Sequence, residues 1–220
     1  MPTLKSISVA RGRPLPVLLL ADISGSMAAN GKIDALNQAV STMISSFADE
    51  DAGRIAIHAG VITFGQGGAR LHHPMQPAKA LRWDPLTALG GTPMGAAFDL
   101  TTSVLADREQ IAGGALRPAL VLVSDGQPTD AWEEPLARLL AHERGRKATR
   151  FAMAIGADAD RAMLQRFLAD TGQSVFGAED ARGIRQFFQW VTMSVTLRSR
   201  AANPEADDGY APLPPEDYDV

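Results

Sequence analysis

One carboxylate and two hydroxyls fall within five residues at Asp22-Ile23-Ser24-Gly25-Ser26, and a second carboxylate, Asp125, stands before Gly126 much further along the chain. Each follows an apolar run, Val17-Leu18-Leu19-Leu20-Ala21 in the first case and Ala119-Leu120-Val121-Leu122-Val123-Ser124 in the second. Runs of that length and composition read as parallel strands buried on both faces. In an open α/β sheet, ligands bind beyond the carboxyl ends of the strands, so both acids stand where a site is expected. Thr92, in Leu89-Gly90-Gly91-Thr92-Pro93-Met94-Gly95, adds a third hydroxyl. Asp22, Ser24, Ser26, Thr92 and Asp125 together offer two carboxylates and three hydroxyls, a hard-oxygen set suited to Mg²⁺ first, with Mn²⁺ or Ca²⁺ as alternatives. Two carboxylates neutralise such an ion formally. Neutral hydroxyls hold it weakly and leave it electrophilic toward an added anion.

Plainer readings compete. Asp-x-Ser-Gly-Ser can be a turn whose polar side chains cap the next helix. Thr92 directly before Pro93 already fits an N-cap with proline at the first helical position. Capping leaves the pair Gly90-Gly91 unexplained, since two glycines let backbone approach something closely. Gly25 is expected to free its loop for a sharp turn.

The elements that must position these residues follow from periodicity. Lys32 to Ala48 carries Ile33, Leu36, Val40, Met43, Ile44 and Phe47 at helical spacing. Arg54 to Phe64 reads as a strand, and Ala69 to His73 as a short strand turning back antiparallel at the sheet edge after Gly65, Gly67 and Gly68. His72 and His73 are adjacent, so in a strand they face opposite sides, and an edge strand explains them better than a metal does. A short helical turn is predicted around Ala78 to Leu81. Helices are predicted over Met94 to Ala106, Ala131 to Arg144 with Asp130 as its cap, Arg161 to Ala169, and Ala181 to about Leu197; further strands fall at Thr149 to Ile155 and Ser174 to Phe176. Alternating strands and helices predict an α/β fold, a three-layer, doubly wound, mostly parallel sheet with one short antiparallel edge strand.

With 220 residues the chain suits one sizeable α/β domain. We divide it into an N-terminal extension at 1–13, the domain at 14–200, and an acidic, proline-rich tail at 201–220 expected to be disordered. Both tyrosines, Tyr210 and Tyr218, lie in that tail, by chance or as a short docking segment. Residues 203–220 hold six acids and no Lys or Arg; removing those six from the net charge of −4 leaves about +2, too weak a balance for nucleic acid. No apolar run approaches a membrane span. The run ahead of Asp22 includes Pro16 and has no small-residue cleavage site, so it does not read as a signal peptide. The chain has no cysteine, which removes disulfides and thiolate metal sites, and cytoplasmic location is the default expectation.

Asp-x-Ser-x-Ser at 22–26, Gly-Gly-Thr-Pro-Met-Gly at 90–95 and Ser-Asp-Gly-Gln-Pro-Thr-Asp at 124–130 resemble, in order, the metal-ion-dependent adhesion site of von Willebrand factor A-type domains. The resemblance covers about residues 14–197, and all five site positions match. It implies a Rossmann-like fold and a binding module rather than an enzyme. Ser24, Ser26 and Thr92 would touch the metal directly or nearly so, Asp22 and Asp125 would hold it partly through water, and an Asp or Glu of a partner protein would fill the remaining position. More narrowly, Leu-Leu-Ala-Asp-Ile-Ser-Gly-Ser-Met and Val-Ser-Asp-Gly-Gln-Pro-Thr-Asp are similar to the TerY proteins of bacterial tellurite-resistance, stress and phage-defence gene sets. That likeness implies a kinase or phosphatase encoded nearby as the partner. The competing chemistry is a Mg²⁺-dependent phosphatase of haloacid dehalogenase type, with Asp22 as nucleophile, Thr92 on the phosphate and Asp125 with Asp130 as metal acids. That chemistry wants a second Asp as general acid where Ser24 stands, and no lysine follows Thr92 until Lys147.

Overall fold

Successive side chains of a pleated strand point to opposite faces, and all eight residues of β1 (Leu15–Asp22) are buried, so this strand must be covered on both sides. The computed structural model describes residues 13–50, 55–205, 210, 211 and 213. In it β1 lies inside a six-stranded sheet of order β3-β2-β1-β4-β5-β6, with β2 (Ile57–Gly65), β3 (Gly68–Pro77), β4 (Ala119–Ser124), β5 (Thr149–Ile155) and β6 (Phe176–Ala178). All pairings are parallel except β2 with β3. The expected architecture is therefore the observed one.

Leu15, Val17, Leu19 and Ala21 pack toward α1 (Lys32–Asp49) and α6 (Ala181–Arg200). Leu18 and Leu20 pack on the other face toward α2 (Met94–Ala106), α3 (Glu133–Ala141) and α5 (Arg161–Phe167). From β1 the chain winds outward through β2 and β3, then returns to β4 on the other side. The strand order thus reverses between β1 and β4, where their carboxyl ends part and leave a crevice.

The differences from expectation have local causes. The helix expected over 131–144 is divided into α3 and α4 (Glu143–Lys147), with His142 extended between them at φ −62°, ψ 136°. Gly145 allows the fold-back, because a Cβ there would stand 2.0 Å from the Leu139 carbonyl oxygen. Arg144 ties α4 down by donating to the carbonyls of Leu105 and Ala112. The edge strand is longer than predicted: Pro74 and Pro77 fall inside β3, which a strand with one unpaired side tolerates. The terminal helix runs on to Arg200, since Arg198 is buried and donates to the carbonyls of Arg117 and Pro204.

A tail disordered from residue 201 onward does not describe Tyr210 and Ala211. The Tyr210 ring lies edge-on to Phe151 at 5.1 Å between centroids and stacks on Trp190 at 6.2 Å. Its hydroxyl donates to the Arg150 carbonyl (2.9 Å) and accepts from the Arg150 amide (3.1 Å), while Ala211 exchanges hydrogen bonds with Trp190 and Ser194. One aromatic ring with satisfied polar ends outweighs the tail's unfavourable composition at that point. The rest of the expected tail, at 206–209, 212 and 214–220, lies outside the described residues, as do 1–12 of the extension and the predicted strand start at Arg54.

Candidate metal centre

Asp22 ends β1 and is fully buried, with each carboxylate oxygen already engaged. Oδ1 accepts from the Ser24 amide at 2.8 Å, and Oδ2 accepts from the Ser124 hydroxyl at 2.6 Å. Burial away from water pushes its pKa up from 3.8 to about 6; the bonds from Ser124 and Ser24 pull the other way, and the nearby Asp125 charge adds to the rise. Asp125, one residue beyond β4, is 1% exposed. Two carboxylates in so dry a place call for compensating positive charge.

The hydroxyls gather on Asp125. Ser26 Oγ donates to Asp125 Oδ1 at 2.7 Å, Ser24 Oγ lies 3.4 Å from the same oxygen, and the two serine oxygens are 3.0 Å apart. The residues from Ser24 on form a 3-10 turn over Gly25–Gly31, but Ser24 makes no side-chain cap bond, so capping does not account for the motif. Gly25 is not in the left-handed region; the sharp turn comes later, at Asn30 (φ 55°) and Gly31 (φ 69°). Gly25 contributes its amide, which donates to the Gly90 carbonyl at 2.8 Å and pins the serine loop to the loop that carries Thr92.

Thr92 is 4% exposed. It does not cap α2. Asp130 does, accepting from the amides of Gly95 (2.8 Å) and Ala96 (3.0 Å), and so it is not the cap of its own following helix. The Thr92 amide accepts no competing role at the site, since it donates to Thr129 Oγ1 while its carbonyl takes the Thr129 amide. With the cap supplied by Asp130, the Thr92 hydroxyl is left to the crevice: a Cβ on Gly126 would stand 3.3 Å from Thr92 Oγ1 and 3.9 Å from Ser26 Oγ. Gly126 thus keeps open the space that both hydroxyls flank. The glycine pair serves loop packing, as Gly90 (φ 94°) would put a Cβ 2.4 Å from the Gln66 amide nitrogen and Gly91 one 3.1 Å from Thr129 Oγ1.

Two residues escaped the sequence reading. Ser124 sits within the quoted motif but looks like a strand end, and only the parallel register of β1 with β4 brings it onto Asp22. Lys32 opens α1 and places Nζ 2.8 Å from Asp125 Oδ2, with its side chain 18% exposed. Nothing in the spacing from Asp22 to Lys32 signals that pair, because the left-handed residues 30 and 31 decide where the helix begins.

The five predicted residues therefore come together from three loops. Among the described residues no group of three or more His, Cys, Asp or Glu gathers anywhere, so a cation here would rely on the hydroxyls as well as the two acids. Hydroxyl and carboxylate oxygens packed around a buried negative pair fit a hard divalent ion. His72 and His73 lie instead on β3 beside Trp83, with His72 Nε2 bonded to the Asp84 carbonyl.

The model of the von Willebrand factor type A domain matches residues 17–127. Comparison with curated proteins found no match. Among solved structures, the pilus adhesin SpaC of Lactobacillus rhamnosus GG is similar at 14% identity and TM-score 0.66, over 84% of this chain and 31% of that one. A von Willebrand factor type A protein from Catenulispora acidiphila is similar at 18% identity and TM-score 0.63, over 83% and 42%. Proximal thread matrix protein 1 of the mussel byssus, in a structure with a zinc-occupied MIDAS motif, is similar at 16% identity and TM-score 0.59, over 81% and 47%. The chain spans less than half the length of each of these structures, and at such identities the likeness is one of fold. The family match covers half of the chain, including Asp22, Ser24, Ser26, Thr92 and Asp125, and on it the chain belongs to the von Willebrand factor type A domain family.

Proposed function

We propose that the chain is a metal-dependent protein-binding module, in which Asp22, Ser24, Ser26, Thr92 and Asp125 hold a divalent cation that captures an Asp or Glu side chain of a partner. The observation that carries this reading is the convergence of Ser24 and Ser26 on Asp125 at 3.4 and 2.7 Å, beside a desolvated Asp22. Ser26 is exposed, so the cluster opens to solvent on the side a partner would approach. Mg²⁺ is the expected ion, since hard hydroxyl and carboxylate oxygens with room for water suit it. The zinc-occupied motif of the mussel protein shows that a MIDAS of this fold can also take a softer ion.

The geometry favours binding over phosphoryl transfer. Direct attack needs an Asp22 oxygen presented to substrate, and the residue is fully buried with a hydrogen bond to each oxygen, whereas holding a metal through water asks only for its charge nearby. Ser24 stands where the general acid would be, and a hydroxyl gives up its proton with far more difficulty than a carboxylic acid. The narrower reading, a cytoplasmic TerY-type component of a bacterial tellurite-resistance or stress set working with a nearby kinase or phosphatase, rests on the sequence around Asp22 and Asp125. Among the described residues no helix is long and apolar enough to cross a membrane.

The test is a titration of Mg²⁺ into the wild-type chain and into a Ser24→Ala, Ser26→Ala double variant, followed by capture of partners from the native cell with and without chelator. The wild type is expected to bind the ion and lose its partners in chelator, and the variant to do neither while keeping its circular dichroism. Capture that persists in chelator would refute the reading.

A further inference from the structure

At the other end of the sheet, where β4 and β5 begin, a cavity of about 450 Å³ is lined by Arg117, Arg146, Lys147, Arg150, Asp170 and Tyr210 among others. Four cations and one carboxylate face it, in a protein whose net charge is negative. Lys147 is paired with Glu143 at 2.8 Å, both exposed. Among the described residues neither of the two arginines deeper in forms a salt bridge, though the Asp170 charge in the same lining attracts Arg150. Arg150 is 3% exposed and spends its terminal nitrogens on the carbonyls of Gly145 and Ala169, which leaves Nε buried without a partner. Arg117 keeps both Nε and Nη2 buried and unpartnered. A further acid nearby, Glu205, is committed elsewhere: its Oε1 accepts from the Arg13 side chain and from the Arg117 backbone amide.

Buried guanidinium nitrogens without acceptors are costly, and all three belong to side chains that line this cavity. We propose that this cavity binds a phosphate-class oxyanion, inorganic phosphate or the phosphate group of a small monoester, on Arg117 and Arg150, with Arg146 and Lys147 at the rim. A carboxylate would match one planar arginine fork. A tetrahedral group with three acceptor oxygens matches donors that come from two guanidinium groups and a rim of further cations. The volume exceeds that of a bare phosphate, which leaves room for a small organic group beside the Tyr210 ring. Tyr210 also fixes the site, because its hydroxyl holds both backbone groups of Arg150. Nucleic acid is a poor fit to so small a cavity on an acidic chain. The site shares no residue with the metal centre, and the six-residue span of β4 separates the two by about 20 Å.

The experiment is calorimetric titration of the full chain with inorganic phosphate and, separately, with glycerol phosphate, alongside thermal unfolding in each. Saturable binding of either and a raised Tm are expected, with the monoester the tighter of the two if the extra volume is used. Arg117→Gln, at a side chain that makes no hydrogen bond or ion pair among the described residues, is expected to weaken binding by about tenfold or more with unchanged circular dichroism. The Ser24→Ala, Ser26→Ala variant should bind phosphate as the wild type does, which separates this site from the metal centre. No saturation by about 10 mM of either ligand, or equal binding by Arg117→Gln, would overturn the proposal. Asp207 and Asp208 lie in sequence between Glu205 and Tyr210. Binding that appears only after Asp207→Asn, Asp208→Asn would identify the chain's own acids as the occupant and equally overturn it.

Discussion

Replacing Lys32 by methionine is expected to destabilise the metal-free protein and, at the same time, to tighten its hold on a divalent ion. The ammonium lies 2.8 Å from Asp125 Oδ2, with side chains 18% and 0% exposed. At an effective dielectric of about 20 the gross attraction at this separation is about 6 kcal/mol, most of it spent on desolvating the two charges. Removing one partner of a buried pair leaves the other uncompensated at a cost of about 3–5 kcal/mol, and the partial exposure of Lys32 points to the lower end or slightly below it, about 2–3 kcal/mol. A metal ion held on the same carboxylate competes with the ammonium for its charge. Their coupling is therefore unfavourable, of order 1–2 kcal/mol, which is about five- to thirtyfold in affinity. Methionine keeps the apolar stem, so the comparison isolates the charge. Urea unfolding in chelator reads the first effect and calorimetric titration of Mg²⁺ the second. Lys32→Met that is less stable without metal yet binds Mg²⁺ no more tightly than wild type would refute the assignment of Asp125 to the metal.

Asp22 carries a pH dependence of definite sign. Its folded pKa is raised from 3.8 to about 6, so between those values the folded state binds the extra proton. Metal-free stability from this group is thus undiminished below about pH 4 and falls as pH rises to about 6, by up to about 3 kcal/mol. Urea unfolding of wild type against Asp22→Asn in chelator should show the asparagine gaining by that order between pH 4.5 and 7.5, and a pH-independent difference would contradict the burial argument. Asp130→Ala removes the acceptor for two amides at the start of α2 and should cost about 1–2 kcal/mol in thermal or urea unfolding. It should also weaken Mg²⁺ binding, because Thr92 stands directly before that helix. Tyr210→Phe keeps the ring between Phe151 and Trp190 but strips both hydrogen bonds from Arg150, and about 1–3 kcal/mol of unfolding free energy should go with them. No change on that substitution would mean that residue 210 is not seated in solution.

The candidate metal centre is legible in the sequence because its residues are tied to features of periodicity. Asp22 and Asp125 end apolar runs that read as central strands, and in a doubly wound open sheet the strand order reverses at such a pair, as it does between β1 and β4. Thr92 is legible as a partner of the two acids, but its local role is not. Its position before Pro93 is what an N-cap looks like, and the distant Asp130 that displaces it becomes visible only when the β4–α3 loop folds over α2. Gly90 and Gly91 read as places of close approach, and what approaches is the Gln66 backbone and the Thr129 side chain. Tyr210 was hidden by its neighbours, since a compositional argument averages over a window and one ring that finds Phe151 and Trp190 does not alter the average.

The sequence by itself determined the layers, the strands that end in carboxylates and the hard-oxygen character of the site, because burial on two faces and a period near 3.6 leave their mark residue by residue. Only the tertiary structure decided that Lys32 neutralises Asp125, that Ser124 clamps Asp22, that Asp130 frees Thr92, and that Arg117 and Arg150 face one cavity with donors to spare. These are pairings between polar groups far apart in the chain. Their partners are chosen by register and loop geometry, to which hydrophobic spacing is blind.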